Sequence, residues 1–241
     1  MKPKLYSKLY INQERKIKKI MLNVQPLSND QIEENKNTFL QLLSKIDIDG
    51  ADTEGLANFL LNSDFFTAPA STKYHSNFSG GLCQHSLNVY YSLVNLYEMY
   101  KNVLPQPIDE NSLLLCGLFH DISKTNFYEI YTANKKIYND QGTKHDNMGK
   151  FDWVSVEAWK VRDAENRFLA GTHEENSVLL LGRFIPLNQE ETIAIMNHHM
   201  HTGDGVVFMD QSALCNAHPL AVLLHLSDFA ATFLLEGVIK E

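Results

Sequence analysis

Leu113-Leu114-Leu115-Cys116-Gly117-Leu118-Phe119-His120-Asp121 is the stretch that decides how this chain reads. The apolar run reads as a helix with a buried end, and it ends on an imidazole next to a carboxylate. First-row divalent metals accept neutral imidazole and carboxylate together, so a buried His-Asp pair suits metal chemistry if partners exist elsewhere. They do: His85 lies upstream, and His173, His198, His199 and Asp228 follow, each on or beside a segment of helical apolar periodicity.

Working outward, the signals are mostly helical. Ser28-Asn29-Asp30-Gln31 has the form of a capping box ahead of Ile32, Phe39, Leu40, Leu43 and Ile46. A short helix is expected near Thr53–Asn62. The stretch Asp64–Gly81, rich in Ser, Pro and Gly, reads as a loop delivering the chain into a long helix from about Leu82 to Tyr100, with His85 in its first turn. Pro105 and Pro107 break the chain before the helix Glu110 to His120. Further helices are expected at Glu174–Phe184, at Gln189–His199 after Pro186, and at His218–Glu236, entered through Pro219.

Residues 127–168 change character. Phe127, Tyr128, Ile130, Tyr131, Ile137, Tyr138, Trp153, Val154, Val156, Trp159 and Val161 are aromatic or β-branched with polar residues between them, the pattern of a β-hairpin or two. An insertion this polar cannot build its own core, so it is expected to pack over the site opening as a lid or substrate wall. The fold class is therefore mainly all-α, a helical bundle with a small β insertion. It is expected as one domain over residues 28–241, preceded by a basic extension at 1–27 that has the composition of a solvated, partly disordered segment.

The net charge of −8 hides an asymmetry, because residues 1–20 carry seven Lys/Arg against the single Glu14, which leaves residues 21–241 at about −14 by subtraction. Such a body repels a long phosphate backbone, so strong duplex binding is not expected, while a small anionic substrate held through metal ions is compatible. There is no apolar run of about 18 residues and no export signal, which predicts a cytoplasmic protein without a membrane span. Cys83, Cys116 and Cys215 show no metal-binding spacing and read as reduced thiols, two of them in apolar helical runs. Phosphate loops of the Walker type, dinucleotide fingerprints and nucleophile elbows are absent from the sequence.

The order His85, His120-Asp121, His173, His198-His199, Asp228 resembles the HD-domain metal-dependent phosphohydrolase superfamily, over roughly residues 60–236. Phe65-Phe66-Thr67-Ala68-Pro69-Ala70, then His75 and Gly80-Gly81-Leu82 through His85, is similar to the start of the HD domain in YhaM-type 3′–5′ exoribonucleases and in uncharacterised bacterial and phage HD hydrolases. Gly171-Thr172-His173-Glu174, Asn197-His198-His199 and Leu223-Leu224-His225-Leu226-Ser227-Asp228 continue the pattern. The chain departs from the exoribonucleases in its first 60 residues, which read as helices and not as a five-stranded nucleic-acid-binding barrel.

The resemblance implies one or two divalent ions, with Mn, Fe, Mg, Ni, Co and Zn all open. His85, His120, Asp121 and Asp228 would hold the first ion, and Asp121, His173 and His198 the second, with Asp121 as the bridge. Hydrolysis of a phosphoester in a nucleotide or short oligonucleotide is the expected activity, since paired ions activate water and stabilise charge on the leaving oxygen. Asp121 and Lys124 carry the catalytic assignment, and Lys124, one helical turn on, is also the expected phosphate binder.

His199 and His75 are further substrate contacts. If His198 and His199 are both helical they diverge by about 100°, so only one of them ligates. His225 would orient Asp228 or serve the core, His145, His201 and His218 read as surface groups, and Trp153 and Trp159 either stack on a base or close the insertion. Two other functions use the same residues: a di-iron oxygenase of the same fold, and a nucleotide-binding regulator with weak catalysis.

Overall fold

Ser28 starts the first helix as the capping box requires: its Oγ accepts from the Gln31 amide, and the Gln31 side chain accepts from the Ser28 amide. In the computed structural model, which describes residues 26–167, 171–200 and 211–236, that helix is α1 (Asn29–Leu43). It is followed by α2 (Thr53–Leu61), α3 (Gly81–Tyr100) and α4 (Glu110–Phe119). After the β insertion come α5 (His173–Leu181), α6 (Gln189–Met196), α7 (Gln211–Ala217) and α8 (Pro219–Ala230), the last running into a π-helical turn, Ala231–Leu235. The expected helices are present, with α6 ending three residues early and α7 arising where none was expected. Residues 1–25, which hold most of the basic extension, and His201 lie outside the described residues.

The core explains why α4 reads as uniformly apolar. Leu113, Leu114, Leu115, Cys116, Leu118 and Phe119 are all buried, because α3 covers one side of α4 while α6 and α1 reach others. Phe39, Phe65, Phe66 and Phe119 make edge-to-face contacts, with Phe39 central at ring separations of 4.9, 5.8 and 5.3 Å to the other three. Gly117 lets α4 approach α3: a Cβ there would lie 2.6 Å from the Tyr90 Cα. Gly81 allows a second close approach, since a Cβ would meet the carbonyl oxygen of Ser76 in the preceding loop.

The insertion is a three-stranded antiparallel sheet, β1 (Tyr128–Tyr138), β2 (Lys144–Asp146) and β3 (Gly149–Val161), in the order β1-β3-β2. Its strands do not form a layer on the helices of the bundle. Among the described residues no helix packs extensively on either face, and Ile130, Tyr131, Ile137, Tyr138, Trp153 and Val154 are exposed. The reason is in the alternation: each face mixes apolar and polar side chains, so neither offers a continuous apolar surface to the bundle. Only the root is anchored, where buried Tyr128 places its hydroxyl 3.4 Å from the Ala70 carbonyl. Among the described residues no single helix is long and apolar enough to cross a membrane.

Candidate metal centre

Helix ends and the turns beside them bring the six ligand candidates together. His85 projects from the first turn of α3, and Asp228 from the last turn of α8, which packs on α3. His120 is the residue on which α4 ends, and Asp121 opens a single 3₁₀ turn, Ile122–Lys124. Thr172 caps α5 in a capping box with Glu175, which fixes His173 as the first helical residue. His198 follows the end of α6. His85, His120, Asp121, His198 and Asp228 are buried, and His173 is partly so.

Around Asp121 the donor atoms fall into two sets. On the Oδ2 side, His85 Nε2 lies 3.6 Å and His120 Nε2 3.5 Å away; these two nitrogens are 3.2 Å apart, and His85 Nε2 is 3.2 Å from Asp228 Oδ1. On the Oδ1 side, His173 Nε2 is at 3.6 Å and His198 Nε2 at 3.7 Å. Asp121 Oδ1, His173 Nε2 and His198 Nε2 are all buried and have no hydrogen-bond partner. Buried polar atoms left this way are costly unless something else satisfies them. Donors at about 2.1 Å from a common tetrahedral ion lie roughly 3.4 Å from one another. Among the described residues, donor atoms within 4.8 Å of one another come from His85, His120 and Asp228, from His120, Asp121 and His198, and from His173, Glu174, His198 and His199, so Asp121 stands between groups whose chemistry suits a divalent metal.

The outward ring nitrogens are held in turn, which fixes each Nε2 toward the centre. His120 Nδ1 lies 3.1 Å from the Gly117 carbonyl, His198 Nδ1 2.7 Å from the Ile195 carbonyl, and His85 Nδ1 3.0 Å from Glu236 Oε1. Glu236 also accepts from Ser76 Oγ at 2.7 Å and Asn88 Nδ2 at 3.0 Å. Glu174 serves two rings, 3.1 Å from His173 Nδ1 and 2.9 Å from His199 Nδ1. Neither Glu174 nor Glu236 was singled out from sequence. A glutamate in a helix's first turn passes for a dipole partner, and Glu236 closing Phe233-Leu234-Leu235 repeats on a smaller scale the apolar-run-then-carboxylate signal of Phe119-His120-Asp121.

Charge follows from these contacts. Burial works to raise the Asp121 pKa, but the Lys124 ammonium, the largest opposing influence, outweighs it and holds the carboxyl well below the usual carboxylate range. Lys124 Nζ sits 2.6 Å from Asp121 Oδ2 and is held well above the usual lysine value. Burial pushes His120 down to about 4 and, helped by the His120 ring, His198 to about 3, so both present neutral imidazoles. His85 goes the other way: burial opposes its charge, yet Glu236 and Asp228 carry it up to about 10.

Several expectations are changed. His198 and His199 do not sit on a helix, because α6 stops at Met196; both rings face the centre, 4.2 Å apart, and His199 Nε2 is 3.4 Å from Asp228 Oδ2. Lys124 belongs to a 3₁₀ turn and not to a turn of α-helix, and its ammonium is directed at Asp121. His225 bonds the His198 carbonyl at 2.7 Å and so braces that ligand candidate rather than Asp228. His218 is buried and lies 2.7 Å from Glu190, while His145 is exposed. His75, expected in the loop, stacks at 4.7 Å on the His85 ring with its Nε2 buried and unpartnered.

A family model for the HD domain matches residues 82–228, which spans the first ligand candidate, His85, to the last, Asp228. Comparison with curated proteins and with solved structures gave no match. The chain thus belongs to the HD-domain family, whose members are generally metal-dependent hydrolases.

Proposed function

We propose that the chain hydrolyses a phosphoester of a nucleotide or short oligonucleotide. One or two divalent ions would be held by His85, His120, Asp121 and Asp228 on one side and by Asp121, His173 and His198 on the other. The observation that carries this reading is the division of Asp121, one oxygen facing each donor set, with the Oδ1 set left unsatisfied by the protein itself. Ions there would supply Lewis acidity to a phosphoryl oxygen and lower the pKa of a water.

The chain's residues supply the rest. Lys124 brings an ammonium to the same carboxylate on a side chain that stays 12% exposed, where it can meet a phosphate oxygen of the substrate. His199, partly exposed beside Asp228, and His75, against His85, are the further substrate contacts. Glu174, Glu236 and the Gly117 and Ile195 carbonyls keep the imidazoles turned inward, so little reorganisation is needed during turnover.

The test is to purify the protein with Mn²⁺, screen nucleotides, cyclic nucleotides and short RNAs, and compare Asp121→Asn. Phosphate release that is lost in the variant is the expected result. Release that survives unchanged overturns the assignment, and two bound irons with O₂ consumption would assign oxidation instead.

A further inference from the structure

The β insertion is the part of the fold that the metal centre leaves unexplained. It is an 11-residue strand paired along its whole length with β3, rooted at Tyr128 and exposed on both faces. A two- or three-stranded sheet without a packed face is marginal in water, and a long uncovered edge strand invites pairing. β1 is such an edge. Among the described residues no strand lies along its outer side, and Ile130, Tyr131, Thr132 and Asn134 are exposed.

The ladder shows which backbone groups that edge offers. Arg162 N donates to the Phe127 carbonyl and Asn139 N to the Lys150 carbonyl, one at each end of the β1–β3 register. Odd-numbered residues of β1 therefore bond β3, and the amides and carbonyls of Ile130, Thr132, Asn134 and Lys136 point away from it.

We infer that this edge joins a second copy of the chain, β1 to β1, antiparallel about a two-fold axis at Thr132. In that register the outward-bonding pairs are Thr132 with its counterpart and Ile130 with Asn134. The close, non-bonded pairs are Tyr131 with Ala133 and Glu129 with Lys135. The join is self-complementary, as a two-fold contact must be. At each end of an apolar middle of Tyr131 and Ala133, Lys135 of one copy would join Glu129 of the other, which already pairs with Lys160 at 2.8 Å, so that opposite charges alternate on one face, an arrangement that stabilises paired strands.

Long-range charge favours the same surface. Residues 128–161 carry five Lys/Arg and five Asp/Glu, whereas residues 21–241 as a whole stand near −14. Two bodies of that sign repel, and the neutral arm is where they can meet at least cost.

Thr132→Pro isolates the edge. Thr132 faces Glu157 in a pair that exchanges no hydrogen bonds with β3, so proline removes only an outward N–H and is tolerated on an edge strand. Lys135→Glu, which sets like charges opposite each other, is the second variant. Sedimentation velocity of the full chain at micromolar concentration should show a dimer for the parent and a monomer for Thr132→Pro, with unchanged circular dichroism. Dimerisation by Lys135→Glu should be weaker by roughly tenfold.

A monomeric parent overturns the inference, as does a Thr132→Pro variant that is folded and still dimeric. If proline disturbs the sheet, the Lys135→Glu constant decides alone, and an unchanged value overturns it. A monomeric parent whose Trp153 and Trp159 fluorescence is quenched by a short single-stranded RNA also overturns it and assigns the arm to nucleic acid.

Discussion

Glu236 places Oε1 3.0 Å from His85 Nδ1, and this contact ties the last described residue of the chain to the first turn of α3. With Ser76 and Asn88 on the same carboxylate, the ring of His85 has one orientation, Nε2 toward Asp121 and Asp228. Glu236→Gln keeps the volume and removes the charge that raises ligand basicity, so Mn²⁺ affinity should fall about 10–100-fold. Calorimetric titration of the metal measures this directly. An affinity equal to the parent's, with a lowered melting temperature, would reduce Glu236 to a packing role.

Lys124 and Asp121 form a buried pair at 2.6 Å. Lys124→Met would leave a carboxylate that is 1% exposed among four imidazoles, with His120 and His198 held neutral and His85 charged 3.6 Å away, and removing one partner of such a pair costs about 3–5 kcal/mol, less where a second cation remains. The 12% exposure of Lys124 puts the expectation at the lower end. A divalent cation at Asp121 supplies the missing charge, so the loss should be large in chelator and small in Mn²⁺. Thermal melts of both proteins under both conditions provide the comparison, and a loss that is the same with and without metal would contradict this account.

The ligand order was legible because metal chemistry restricts residue type, and because each candidate lies beside an apolar segment whose period shows. Helix starts were legible where capping pairs are local, as at Ser28 with Gln31. The contacts that orient the rings were not: Glu236 reaches His85 across 151 positions, and only the packing of α8 on α3 brings them together. The pose of His198-His199 was misread since the end of α6 at Met196 carries no proline or glycine to mark it. The sheet is legible in its aromatic and β-branched residues, but their mixture with polar ones does not say which way a hairpin leans.

Stability of the metal-free protein should peak near neutral pH. His120 and His198 are depressed to about 4 and about 3 from 6.5, so below 6.5 the unfolded chain binds protons that the folded one refuses, and stability falls as pH drops from 6.5 toward 3. His85 and His199 are raised to about 10 and about 9, burial being outweighed by their carboxylate partners. Their contribution is complete below pH 6.5 and is lost as pH rises through 9 to 10. Ligation at His85 must release its proton, so Mn²⁺ affinity should rise about tenfold per pH unit for each proton displaced between pH 7 and 9. Melting curves in chelator and metal titrations at matched pH check both parts. A stability curve flat from pH 4 to 7, or a pH-independent affinity, would refute the assignment of charge.

Gly117 links helix packing to the metal centre most directly. Its missing side chain lets α3 lie against α4, and its carbonyl receives His120 Nδ1 at 3.1 Å. In Gly117→Ala the new methyl would stand 2.6 Å from Tyr90 Cα and 2.9 Å from Tyr90 Cβ, and a backbone atom cannot swing aside as a side-chain tip can. Forcing a methyl into such a contact costs about 1–3 kcal/mol. Alanine returns about 1 kcal/mol through its better helix propensity. Net destabilisation should therefore be modest, while α4 must shift where it carries His120. The expected outcome is a loss of Mn²⁺ affinity larger than the loss of stability would suggest, since His120 Nε2 stands only 3.2 Å from His85 Nε2 and a small displacement spoils the set. Denaturant unfolding in chelator paired with calorimetric metal titration separates the two effects, and a variant that binds Mn²⁺ as tightly as the parent would show that the helix contact and the ligand geometry are independent.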